Sequence, residues 1–313
     1  MTTPLPVSFR ADVRLRADDL RARRVPFVIA TVVRAERPTS AKAGDAALVL
    51  GDGTIVGFVG GECAQASVQL HALNALETGE PVLLQITPES PDDGATGPVA
   101  EPGVITVNNP CLSGGSLEIF LEPANPPPLV AVHGDSPIAR AVISMAEGLG
   151  YAATAANEVL VGATAVVVAS HGRGEVEILR AALSAGVPYV GLVASRRRGD
   201  GVLAVLDLPE EQRPRIHTPA GLDIGARTPE EVALSILAEI VATRPRPSSS
   251  GRASTSGISD VGAAPIALDP VCGMAVAALD VTLHADRGGS RHFFCGTGCR
   301  DAFVADPDAF ARR

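Results

Sequence analysis

Leu129-Val-Ala-Val132, Ala165-Val-Val-Val-Ala169 and Tyr189-Val-Gly-Leu-Val193 are short apolar runs separated by segments of helical period, and their alternation decides the fold of the middle of the chain. The spacing predicts strands at 129–132, 152–155, 165–169 and 189–193, and helices at 138–150, 175–185 and 229–242. The last helix carries its own start signal, with Thr228 as N-cap, Pro229 at the first helical position and Glu230-Glu231 in the first turn. Strands alternating with helices in this way build a doubly wound parallel sheet.

Working outward, two breaks bound this block. Glu122-Pro-Ala-Asn-Pro-Pro-Pro128 forbids a helix and reads as an extended spacer. Residues 244–264 are rich in Ser, Gly and Pro, and such a stretch buries too little to repay its ordering entropy. Four segments follow: a first domain at 1–122, the alternating domain at 129–244, a flexible linker at 245–265 and a small module at 266–313. In the first domain, strands are expected at 27–33, 46–50, 54–57, 104–107 and 116–121, with a helix at 64–77 and a long loop from Ile86 to Gly103.

Composition narrows the classes of function. The 313 residues are 46% hydrophobic, enough for two or three packed cores. No run approaches the roughly 20 apolar residues of a membrane span, and Met1 to Asp18 has no apolar signal core, so a cytoplasmic protein is expected. A net charge of −9 and a pI near 5.2 argue against nucleic acid as a partner. Of the 26 basic residues all but Lys42 are Arg. Five cysteines, an odd number, read as thiols or metal ligands rather than a disulfide framework.

Three clusters carry chemistry. In the last module, Cys272 lies 23 residues before Cys295, and Cys299 follows four residues later; three thiolates with His292 or His284 as a fourth ligand suit zinc or another thiophilic metal. A module this small has little core of its own, so a metal staple is physically reasonable. In the first domain, Lys42-Ala-Gly-Asp45 lies between two strands, and Phe58-Val-Gly60-Gly61-Glu62-Cys63 joins a strand to a helix. The paired glycines allow close backbone approach, and the helix start favours an anion or thiolate, so Cys63 is a candidate soft ligand or sulfur acceptor. Cys111, in Cys111-Leu-Ser-Gly114-Gly115, precedes a strand in the same manner. The plain alternative is that each glycine pair is a turn and each cysteine a small core residue. In the alternating domain, His171 follows a parallel strand at its carboxyl end, where such sheets bind ligands.

The run Arg37-Pro-Thr-Ser-Ala-Lys42-Ala-Gly-Asp45, Gly57-x-x-Gly-Gly-Glu-Cys63 and Cys111-Leu-Ser-Gly-Gly115-x-Leu-Glu-Ile-Phe-Leu-Glu-Pro123 resembles the N-terminal domain of the XdhC/CoxI family, accessory factors of xanthine dehydrogenase and carbon monoxide dehydrogenase. Ser170-His171, Gly191-Leu-Val-Ala-Ser-Arg-Arg197 and Pro219-x-Gly-Leu-Asp-Ile-Gly-Ala226 resemble the family's Rossmann domain, and Asp269-Pro-Val-Cys-Gly-Met274 with Phe294-Cys-x-x-x-Cys299 resembles the YHS domain. The resemblance implies an α/β protein with a mixed N-terminal domain, a Rossmann-like parallel sheet and a metal-associated YHS module. It also implies that the protein binds the molybdenum cofactor and supports its sulfuration and insertion into an apo molybdenum hydroxylase, without turnover of its own. Cys63 and Cys111 would then stand near molybdenum or its sulfur, and Lys42 would neutralise the pterin phosphate. Asp45, Glu62, Gly114, Gly115 and His171 complete the expected site. A cysteine desulfurase is a candidate partner and a homodimer a candidate assembly.

The sequence departs from a dinucleotide fingerprint at Val132-His-Gly134-Asp135, where only one glycine of Gly-x-Gly-x-x-Gly stands and Asp135 would repel a pyrophosphate. Two rivals stay open: an NAD(P)- or flavin-dependent oxidoreductase using the parallel sheet, and a metal sensor or delivery protein acting through the last module.

Overall fold

Phe27–Ala35 forms β1, the strand expected near 27–33, in a computed structural model that describes residues 9–88, 101–109, 115–244 and 264–310. The described residues of 1–126 and 247–313 make one compact unit, and those of 127–246 make another.

In the first unit, α1 (Phe9–Ala22) precedes β1, β2 (Ala46–Leu50) and β3 (Ile55–Gly57); then come α2 (Glu62–Thr78), β4 (Val82–Thr87), β5 (Val104–Asn108) and β6 (Leu117–Ala124). The sheet order is β3-β2-β1-β6-β4-β5, antiparallel except for the β4–β5 pair. Strand alternation sorts the two faces. Val28, Ala30 and Val32 of β1, Leu84 and Ile86 of β4, and Ile119 and Leu121 of β6 pack under α2 through Ala64, Val68 and Ala72. Phe27 and Leu48 point the other way, onto Val13 and Ala17 of α1. The sheet therefore carries a helix on each face.

Two expectations are corrected here. The loop expected from Ile86 begins later, because Val82-Leu-Leu-Gln-Ile-Thr87 alternates buried and half-buried residues as a strand between β5 and β6. The spacer expected from Glu122 starts later too, since β6 runs on through Pro123, which pairs with Val28. The proline is tolerated because β4 pairs β6 only as far as Leu121, so no neighbour on that side needs an N–H from residue 123.

The second unit is the parallel sheet the sequence predicted. It contains β7 (Leu129–His133), α3 (Pro137–Gly148), β8 (Ala152–Ala155), β9 (Ala163–Val168), α4 (Glu175–Ser184), β10 (Tyr189–Leu192), α5 (Arg196–Leu206), β11 (Ile216–His217) and α6 (Pro229–Thr243). All pairs are parallel, in the order β11-β10-β9-β7-β8. The helices α3 and α6 cover one face around Val142, Ile236 and Leu237, while α4 and α5 cover the other around Leu179, Leu183 and Leu206. The order reverses between β7 and β9, and an open sheet has its ligand crevice beyond the carboxyl ends of the strands at such a switch point.

Residues 264–310 belong to the first unit. They form β12 (Ile266–Leu268), β13 (Ala275–Ala277), β14 (His284–Arg287), β15 (Ser290–Phe293) and α7 (Thr297–Ala305). The hairpin β14–β15 turns at Gly288-Gly289, both at positive φ as its tight turn requires. This module lies on the outer face of α2: Ala66 joins Met274 and Val276, and Leu70 and Leu73 join Ala277. Ala66, Leu70 and Leu73 recur at helical spacing, so α2 buries one stripe against the sheet and another against the module. Buried polar groups fix the register, with Thr282 Oγ1 donating to Gln69 Oε1 at 3.2 Å and Gln69 Nε2 donating to Gly53 O at 2.8 Å. Among the described residues, no helix is long and apolar enough to cross a membrane.

Candidate functional site

In the first unit the chain leaves β3, passes Gly60 at a φ of +137° and enters α2 with Gly61 as N-cap. Gly61 offers no capping side chain. Cys63 therefore lies in the first turn of a 17-residue helix, where the dipole favours a thiolate or a bound anion. Gly61, Glu62, Cys63 and Gly115 line one cavity together with Pro38, Thr39 and Asn109, with Ile86 and Leu117 as its apolar floor. Gly115 is held to glycine by close approach, because a Cβ there would lie 2.3 Å from Pro38 O. The cavity is about 50 Å³, room for a sulfur or an oxyanion rather than a whole pterin.

The other expected residues separate. Lys42 is exposed and does not line this cavity. Asp45 builds the turn beside it, its Oδ2 accepting the Lys42 N–H at 2.8 Å. The carboxylate of Glu62 is engaged by the C-terminal module, accepting from Thr297 N at 2.6 Å and Thr297 Oγ1 at 2.8 Å. His171 belongs to the second unit, exposed in the turn after β9 with a φ of +54°. Cys111 and Gly114 lie outside the described residues.

The structure brings three thiols of the module together and leaves both histidines out of the group. Cys295 Sγ is 3.6 Å from Cys272 Sγ and 3.7 Å from Cys299 Sγ, and these three and a carboxylate oxygen of Asp269 lie within 4.8 Å of one another. His292 is not in the group, because its ring packs on Phe303 at 4.8 Å. His284 is turned to Thr282 O at 2.8 Å and lies beside Phe293. Asp269 is only 1% exposed and is used by backbone: Oδ1 accepts from Val271 N and Cys272 N, and Oδ2 from Cys295 N. It shapes the loop that presents the thiols. A further sulfur reaches the group, since Cys63 Sγ stands 3.8 Å from Cys295 Sγ.

Crowded thiols resist joint ionisation. Cys295 is held above the ordinary thiol range, first by its contact with Cys272, then by Cys63 and by burial. Burial, then the Asp269 charge and the Cys272 sulfur, push Cys299 up to about 12. Cys272 moves down because it accepts from Cys295, against the effect of burial. One thiolate among protonated neighbours is what such a group supports alone; a soft cation would draw all of them to the deprotonated form. The donor set therefore fits a thiophilic metal.

The second unit holds a larger cleft, about 590 Å³, at its switch point. His133, Gly134 and Asp135 after β7, Ala156 and Asn157 after β8, and Ser170, Arg173 and Gly174 after β9 line it. Gly134 is required, because a Cβ would lie 2.5 Å from Ala169 O. The expected repulsion by Asp135 is offset, since the Arg173 guanidinium pairs with its carboxylate. His133 ties two walls together, its ring nitrogens 3.2 Å from Ala156 O and 2.9 Å from Arg173 O. The turn is anchored by Glu175, which accepts from Ser170 Oγ, Gly172 N and Arg198 while only 3% exposed. At the far edge Glu239 accepts from Tyr189 Oη at 2.7 Å and Gly221 N at 2.8 Å, with His217 Nδ1 3.0 Å away. Burial pushes the Glu239 carboxyl up, but these partners outweigh it and hold it below the usual range. Sequence reading missed Arg173, Glu175 and Glu239, whose partners Asp135, Arg198 and Tyr189 are brought to them by tertiary structure.

Comparison with known proteins meets the chain at both of its larger domains. Residues 20–87 match the model of the XdhC and CoxI family, and residues 130–240 match the XdhC Rossmann domain. The chain is 28% identical over 256 residues to an uncharacterized protein, YqeB, of Escherichia coli K12, covering 72% of this chain and 45% of that protein. It is 37% identical over 82 residues to a probable xanthine dehydrogenase subunit of Bacillus subtilis 168, covering 26% of this chain and 24% of that one. It thus spans less than half the length of these curated relatives. A solved xanthine dehydrogenase from Bacillus halodurans matches 78% of this chain and 98% of its own at 18% identity, with a TM-score of 0.34. The two domain matches together span more than half of the sequence, and the chain belongs to the XdhC/CoxI family.

Proposed function

We propose that this protein is a cytoplasmic maturation factor that binds the molybdenum cofactor, supports its sulfuration and assists its insertion into an apo molybdenum hydroxylase of the xanthine or carbon monoxide dehydrogenase type. The observation that carries the reading is Cys63 in the uncapped first turn of α2, opening with Gly61 and Gly115 onto one cavity in a chain of this family. The family link to proteins named for xanthine dehydrogenase supports the choice of client. The bound cofactor would supply a molybdenum centre able to carry a terminal sulfur. The chain's own part is to hold it: Cys63, with Cys111 as the second thiol, offers sulfur donors; Gly60 and Gly61 allow close backbone approach; Lys42 offers the phosphate a cation across the surface. The small volume beside Cys63 fits the sulfur end of such a ligand, with the pterin lying outside the cavity. A cysteine desulfurase is the partner that would supply sulfur.

The test is molybdenum and released pterin on the full chain purified from a cofactor-producing host, for wild type and Cys63→Ser. Near-stoichiometric molybdenum and pterin on wild type, with at least a tenfold loss in the variant (about 1.4 kcal/mol), is expected. Absence of both from wild type, even after incubation with free cofactor, sinks the reading.

A second reading draws on the cleft after β7, β8 and β9, whose position suits a nucleotide. Calorimetric titration with NADP and FAD decides it: heat with saturable binding favours an oxidoreductase, and silence removes it.

A further inference from the structure

The module's three sulfurs leave a tetrahedral metal one donor short, and a further thiol in contact with them, Cys63, comes from the first domain of the same unit. We propose that Cys63 joins Cys272, Cys295 and Cys299 in a single four-sulfur site for a soft tetrahedral cation, represented by Zn²⁺, and that metal loading fastens the C-terminal module over Cys63.

Four observations carry this. The separations of Cys295 Sγ from Cys272, Cys299 and Cys63 are 3.6, 3.7 and 3.8 Å, with Cys63 reaching the cluster through Cys295 and standing outside the 4.8 Å group that the other three form with Asp269. A zinc with arms of about 2.3 Å sets neighbouring sulfurs ~3.8 Å apart. They are also far longer than the roughly 2.05 Å of a disulfide, so these sulfurs meet one another as thiols in contact rather than as a bonded pair. Asp269, the other group near the three thiols, is engaged by backbone N–H groups from both of its oxygens, whereas a fourth thiolate matches the softness of the other three. Cys63 and Cys299 each lie in the first turn of a helix, α2 and α7, so two helix dipoles favour the thiolates and offset the charge of a tetrathiolate site.

The surroundings hold Cys63 in place for this role. Glu62, its neighbour, accepts from Thr297 at the start of α7, and Ala66, one turn on, packs with Met274 and Val276. Each thiol that binds releases its proton to the solvent, and no electron moves. The chemical consequence is exclusive use of one sulfur: with the site filled, Cys63 is committed to the module, and with the cation withdrawn it is returned to the cavity it lines with Gly61 and Gly115.

The experiment uses the reduced full-length chain and Zn²⁺ alone, so its outcome is independent of whether molybdenum cofactor binds. Cysteine alkylation is followed residue by residue by peptide mass spectrometry, with and without one equivalent of Zn²⁺. Slowed alkylation at Cys63 together with Cys272, Cys295 and Cys299 is expected; protection of the last three with Cys63 reacting at its metal-free rate overturns the proposal, as does failure to bind Zn²⁺. In parallel, Co²⁺ replaces Zn²⁺ as an absorbing probe. In Cys63→Ser the sulfur-to-cobalt charge-transfer intensity should fall by about a quarter, and chelator competition should show at least about tenfold weaker Zn²⁺ binding. Unchanged intensity and affinity in that variant would assign the fourth position elsewhere and end the proposal.

Discussion

The starts of α6 and α2 are built on opposite principles. At α6 the chain closes its own helix: Glu231 N donates to Thr228 Oγ1 at 3.2 Å, and the Glu231 carboxylate accepts from Thr228 N at 3.0 Å. At α2 the N-cap is Gly61, with nothing to offer from its side chain, and the first-turn residues Glu62 and Cys63 are turned to a partner more than 200 residues later. α7 is the reciprocal case, lacking a side-chain cap from Gly296 and receiving one from Glu62. A helix start completed by its own sequence is scaffold; one left open is where ligands, metals and docking partners meet the chain.

That contrast can be broken in several ways, the largest at α4. Its first residue, Glu175, is a buried carboxylate whose charge is matched by Arg198 at 2.5 Å. Arg198→Ala should destabilise the second unit by about 3–5 kcal/mol, because an unmatched buried charge is left behind, and denaturant unfolding measures it. A loss near zero would mean that water reaches Glu175 easily. Next in size is a pH effect on α2. Burial lowers His71 to about 4, so the folded state holds it neutral while the unfolded chain takes up a proton below the ordinary value of 6.5. Stability from this residue is therefore full above about 6.5 and is lost as pH falls toward 4, by about 1–3 kcal/mol; His71→Gln should flatten a stability profile across that window. At α6, Thr228→Ala should cost about 1 kcal/mol, read as a lower unfolding midpoint with no change in metal content. Glu231 is held below the usual carboxylate range by the N–H groups of Arg227 and Thr228, so its help is present at neutral pH and fades only in acid. The smallest effect is expected from Glu62→Gln, about 0.5 kcal/mol in global unfolding, since the contact with Thr297 is exposed. Its signature is local: faster amide exchange at Thr297 and the first turn of α7, with α6 unchanged.

The same contrast explains what the sequence made readable. The parallel sheet was legible because its strands are apolar runs and the starts of α3 and α6 are specified by neighbours in sequence, at Ser136-Pro137 and at Thr228-Pro-Glu-Glu231. The helix α5 was not, since Arg196-Arg-Arg-Gly-Asp-Gly201 has low helix propensity and is held by Ser195 as N-cap and by packing of Leu206. Strand β11 is two residues long and exists only through its pairing with β10. At the candidate site, Cys272, Cys295 and Cys299 were read from spacing, whereas His292 was not distinguishable from a packing residue until its ring was seen against Phe303. The position of Cys63 beside Cys295 has no local signal. Its one trace in the sequence is that α2 is apolar on two sides, at Ala64, Val68 and Ala72 and again at Ala66, Leu70 and Leu73, more than a sheet-covering helix needs.

The cap that Glu62 gives α7 also sets an order in time. Cys63 and Cys295 are 232 residues apart. At a synthesis rate of about 5–20 residues per second, α2 emerges from the ribosome roughly 10–50 s before the last thiols exist. During translation the first domain can take its shape with Ala66, Leu70 and Leu73 facing water and Cys63 unescorted, and the finished chain then covers that face with its own tail. Chaperones, oxidants and early ligands would therefore meet a nascent protein with a different surface from the one that is released.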